Sequence, residues 1–169
     1  MSYAKDREWS DRYLPRVKQI VGPHLLEPAP FERDVSEATD LIVIRARDMT
    51  IGVRLRRPGY AHRFPGEFTI RSNRATGATT ELRKIVDGWG DWLFYGHADA
   101  DDGITEWLLV DLHQLRAAFI RRPGLLHKPD RLASGNQSNG DGTSFMWFRA
   151  GRLPAPVVIA SSAALVPVS

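Results

Sequence analysis

The stretch TDLIVIRARDMTIGVRLRR, Thr39 to Arg57, decides how this chain is read. Two β-rich runs, Leu41 to Ala46 and Thr50 to Arg56, flank Arg47-Asp48-Met49, which predicts two strands joined by a tight turn. Side chains alternate across a strand, so Arg54 and Arg56 share a face with Thr50 and Gly52 while Ile51, Val53 and Leu55 point to a core. Asp40 stands at the head of the first run. A three-residue turn puts it on the arginine side and a two-residue turn on the opposite face. Both registers stay open.

Charge follows the same stretch. From Arg45 to Arg74, eight arginines stand against Asp48 and Glu67 in a chain whose net charge is only +3, so the remainder is mildly acidic. A basic centre on a mildly acidic protein points to a localised polyanion site. The planar guanidinium fork suits phosphate, which makes Arg54, Arg57, Arg63, Arg71 and Arg74 candidate nucleic-acid-binding residues. The competing reading is a solvated strand face with scattered ion pairs.

The flanks predict helices and strands in alternation. Trp9, Tyr13, Val17 and Ile20 recur at helical spacing over Ser2 to Val21, with Pro15 predicting a break and Gly22-Pro23 a stop. Residues 27–32, EPAPFE, are extended because residues before proline avoid the helical region. Phe68 to Arg71 is a short strand, and Thr79 or Thr80 caps the helix TELRKIVDGW. The helix opening at Thr80, Glu81 and Leu82, beside Arg71 and Arg74, is a candidate phosphate seat. Residues 91–98 and 104–110 form a hairpin, and Asp111 caps LHQLRAAFIRR. Residues 124–143 are expected as a flexible loop, Ser144 to Arg149 and Val157 to Ala160 as late strands, and 161–169 as a tail. This alternation gives an α/β or α+β class, a mixed sheet flanked by helices in one domain over 1–169.

At 169 residues and 43% hydrophobic content, with five tryptophans, the chain can bury an ordinary core. It has no cysteine, which excludes disulfides and thiolate metal sites. The five histidines lack zinc-helix spacing. His97 follows Phe94-Tyr95-Gly96 and is expected as an ordinary polar strand residue, with a site-facing position as the alternative. Trp89, Trp92, Phe94, Tyr95 and Trp107 are expected to pack the sheet, with Trp89 or Tyr60 as base-stacking candidates. The N-terminus is too charged for a signal peptide, and no apolar run reaches the ~20 residues of a membrane span. The expectation is a soluble cytoplasmic protein with no membrane partner.

The order helix, short strand, ATDLIVI, turn, IGVRLRR, connecting segment, helix TELRKI and strand DWLFYG resembles the α-β-β-β-α-β core of the PD-(D/E)XK nuclease superfamily. The segments FTIRS, TEL-x-KI, FYG and NGDGTSF are similar to those of small phage- or prophage-type proteins with that core. The likeness covers Trp9 to Val110 and implies a restriction-endonuclease-like core with extra C-terminal strands. In that superfamily an aspartate heads one strand, a carboxylate and a lysine stand two residues apart on the next, and together they bind magnesium and activate water.

Carried over, Asp40 matches the aspartate, while Arg54 and Arg56 occupy the other two places. Arg56 can stabilise developing negative charge but, always protonated, is a poor proton acceptor. Arg54 cannot ligate magnesium, which wants hard oxygen ligands. Glu67 or Glu81 would then complete the metal site with Asp40, and Lys84 would serve as a migrated cation beside Arg56. The resemblance thus implies a nucleic-acid-binding protein, for DNA or RNA, with a weak or degenerate magnesium-dependent phosphodiesterase centre. The alternative is a non-enzymatic phage or mobile-element interaction protein whose arginine face docks a protein or a structural RNA.

Overall fold

A computed structural model describes residues 3–28, 41–43, 49–127 and 132–162. The fold is mixed α/β, as the alternation of elements predicts. The chain divides into two compact units, Met1–Met49 and Thr50–Ser169.

In the first unit, the helical stretch divides into α1 (Tyr3–Asp11) and α2 (Leu14–Val21), in line with the break expected at Pro15. Pro15 lies in the first turn of α2, where its missing N–H has no intrahelical acceptor to satisfy. The break therefore falls just before the proline. Val17 and Val21, four residues apart, are the buried stripe of α2. Strand β1 (Leu26–Pro28) pairs antiparallel with β2 (Leu41–Val43), Leu26 opposite Val43.

The second unit begins with β3 (Ile51–Arg56), whose neighbour is not the expected hairpin partner. Among the described residues β2 pairs with β1, and β3 runs parallel to β5 (Trp92–Ala98). A parallel pair needs a long crossover. Here it is supplied by β4 (Glu67–Asn73) and α3 (Glu81–Val86). The predicted hairpin of β5 with β6 (Ile104–Asp111) forms, and β9 (Val158–Ser161) completes a mixed sheet of order β3-β5-β6-β9.

Both predicted caps form. Thr80 Oγ1 accepts from Arg83 N at 3.2 Å, and Asp111 Oδ1 accepts from Gln114 N at 2.9 Å to open α4 (Leu112–Arg121). That helix buries Leu112, Leu115, Ala118 and Phe119, a helical stripe facing the core.

The stretch expected as a flexible loop, 124–143, instead contains α5 (Gly124–His127) and β7 (Ser134–Ser138). β7 reads Ser-Gly-Asn-Gln-Ser, poor in strand-forming side chains. It is a strand because β8 (Ser144–Arg149) is its antiparallel partner, which in turn pairs with β4 in a β4-β8-β7 sheet. The inward faces of both sheets meet in one core. Phe68, Ile70, Met146 and Phe148 pack there with Leu93, Leu108, Val110 and Leu115. The Phe68 and Phe148 rings stack at 5.3 Å, each fully buried phenylalanine contributing roughly 2 kcal/mol.

Candidate nucleic-acid interface

The alternation that buries Phe68 and Ile70 turns Glu67, Thr69 and Arg71 the other way. Across the ladder they stand opposite Arg149, Trp147 and Phe145 of β8. On the mixed sheet, Arg54 lies beside Tyr95 and Arg56 beside His97. These two strand faces, with Tyr60, Arg63 and Phe64 from the β3–β4 connection, line a cleft of about 700 Å³. Gln137, Asn139 and Thr143 form part of its rim. Five arginines (Arg54, Arg56, Arg63, Arg71, Arg149) share that lining with one carboxylate, Glu67.

The register of β3 is set by a local clamp. Asp91 Oδ2 accepts from Thr50 N at 2.8 Å and from Thr50 Oγ1 at 3.0 Å, while Trp92 N donates to Thr50 O at 3.1 Å. The Thr50 backbone bond, then the His113 ring at 2.9 Å, hold the Asp91 carboxyl down at about 2, so the clamp is charged at neutral pH.

The arginines differ in what holds them. Arg54 makes an ion pair with Glu81 of α3, whose Oε2 also accepts from Arg71 N at 3.1 Å. Burial pushes the Arg54 guanidinium below its ordinary value, opposed by the Glu81 charge. Arg149 Nε donates to Glu67 Oε1 at 3.0 Å, and its Cζ lies 5.4 Å from the Trp147 ring centroid.

Arg56 has no carboxylate partner among the described residues. Its Nε donates to Tyr95 Oη at 2.8 Å and its Nη2 to Thr69 Oγ1 at 2.7 Å. The guanidinium also lies over Tyr60 and Phe145, 5.5 and 5.6 Å from their centroids. Hydroxyls and π-faces orient this cation without cancelling its charge. Next to it, His97 is 5% exposed and its Nδ1 has no hydrogen-bond partner among the described residues. Burial, then the Arg56 charge, pushes the imidazole below its ordinary value.

Of the residues singled out from the sequence, the cleft brings together Arg54, Arg56, Arg63, Arg71 and Glu67. Glu81 joins them through Arg54. Arg57, Arg74 and Lys84 are exposed and lie outside the lining. Asp40 falls outside the described residues. At the opening of α3, the candidate phosphate seat, Thr80 Oγ1 accepts from Arg83 N and the Glu81 carboxylate accepts from Arg71 N. Sequence reasoning missed Arg149, Phe145 and Trp147, although the alternation in SFMWFR carries their signal. Trp89, proposed for stacking, is 72% exposed and outside the cleft, whereas Tyr60 lines it.

The described acids are a poor fit to magnesium. Glu67 and Glu81 each accept from an arginine, so an ion bound there would have to displace a guanidinium. Among the described residues no three His, Cys, Asp or Glu side chains group to hold a metal ion. Compared with protein-family models, curated proteins and solved structures, the chain matches none.

Proposed function

We propose that this protein binds nucleic acid, with the arginine cleft as the seat of the phosphodiester backbone. One observation carries the reading: five arginines converge on one cleft, and the guanidinium groups of Arg56, Arg63 and Arg71 form no ion pair among the described residues. Arg54 and Arg149 are neutralised locally and shape the walls, so phosphate falls to the other three. Such contacts hold a backbone without reading its sequence. Among the described residues no helix is long and apolar enough to cross a membrane. A cytoplasmic setting, where nucleic acid is met, suits this reading.

Binding of a labelled oligonucleotide measured over a range of salt concentrations tests it. With about three phosphates neutralised, the log–log slope for a single strand should be near roughly −2. Salt-independent binding, or none at low salt, would overturn the proposal.

A further inference from the structure

The cleft is more than a patch of positive charge, because its cations are interleaved with accessible rings. Tyr60 and Phe64 are 41% and 44% exposed, and their rings stack on each other at 6.5 Å. Exposed rings beside arginines offer flat π-surface on which a base can stack. Phosphate alone has no use for it. Arg56 adds a planar guanidinium already lying over Tyr60 and Phe145.

Resting on the nucleic-acid reading above, we infer that the cleft takes single-stranded nucleic acid, stacking an unpaired base on the Tyr60–Phe64 side while Arg56, Arg63 and Arg71 hold its phosphates. A duplex shows its phosphates and base edges, but its π-faces are covered by neighbouring base pairs. A single strand shows both phosphates and π-faces, and base–aromatic stacking is sequence-tolerant. The cavity volume of about 700 Å³ agrees. It falls within the roughly 300–1,000 Å³ of sites that enclose a small ligand, which suits a nucleotide or two rather than the girth of a helix.

The test compares a short labelled poly-dT strand, a duplex of matched length and inorganic polyphosphate, on the wild-type chain and on Tyr60→Ala and Phe64→Ala. Both side chains are well exposed, so both variants keep the fold. The single strand should bind about tenfold or more tighter than the duplex. Each substitution should weaken strand binding about fivefold or more and polyphosphate binding by a clearly smaller factor. Equal or tighter binding of the duplex, or an equal loss on polyphosphate, overturns the single-strand inference and leaves the nucleic-acid reading standing. Polyphosphate binding with neither strand nor duplex bound overturns both.

Discussion

Arg54 and Arg56 leave the same face of β3, two residues apart, into different surroundings. Around Arg54 the cleft wall is ionic: Glu81 neutralises the charge and ties β3 to α3 and to the Arg71 backbone. Around Arg56 it is aromatic and hydroxylic, with Tyr95 and Thr69 accepting its hydrogen bonds and Tyr60 and Phe145 beside the guanidinium. An ion pair cancels a charge, whereas hydroxyls and rings only orient it. Two arginines of one strand face therefore differ in state: Arg54 is neutralised by Glu81, whereas Arg56 keeps its charge and under the proposal above meets phosphate.

The largest effects expected are those that separate the two. Arg56→Ala should weaken single-strand binding about tenfold or more with little loss of stability, because a charge-assisted phosphate contact contributes about 1.5–3 kcal/mol. Glu81→Ala should do the reverse. It leaves the Arg54 guanidinium partly buried without its acid, costing roughly 1–3 kcal/mol in denaturant unfolding. Matching changes in both assays for both variants would erase the distinction.

A next test works on the aromatic wall from below. Gly135 on β7 stands opposite Trp147, and a Cβ placed there would run into the indole. Gly135→Ala should cost about 1–3 kcal/mol by overpacking. Adding Trp147→Leu should restore part of that, since the smaller side chain makes room. Failure of the pair to recover would mean the indole is not what Gly135 accommodates.

The smallest effect is one of pH. Burial and the Arg56 charge depress the His97 imidazole, so below 6.5 the unfolded chain binds a proton that the folded chain refuses. Stability should then fall as pH drops through that range, by up to about one proton's slope. His97→Gln should flatten the slope. An unchanged profile would show that His97 is not the group responsible.

Much of the fold was legible because its causes are local. Thr80 and Asp111 cap their helices, Pro15 breaks the first helical stretch, and the acidic turn joins β5 to β6. Strand β7 was illegible because its composition opposes it and only pairing with β8 makes it a strand. Of the hairpin expected after Asp40, residues 44–48 lie outside the described ones, and the described parts of its two runs pair with β1 and β5.

The sequence by itself determined which arginines can act together, since the two-residue period of a strand forces Arg54 and Arg56, and likewise Glu67, Thr69 and Arg71, onto shared faces. Only the tertiary structure decided that these faces line one cleft, that Arg149 and Phe145 join them, and which arginine is neutralised. The physical reason is range. Alternation is a property of neighbouring residues, whereas the acid that cancels Arg54 is 27 positions away and arrives only when α3 packs against β4.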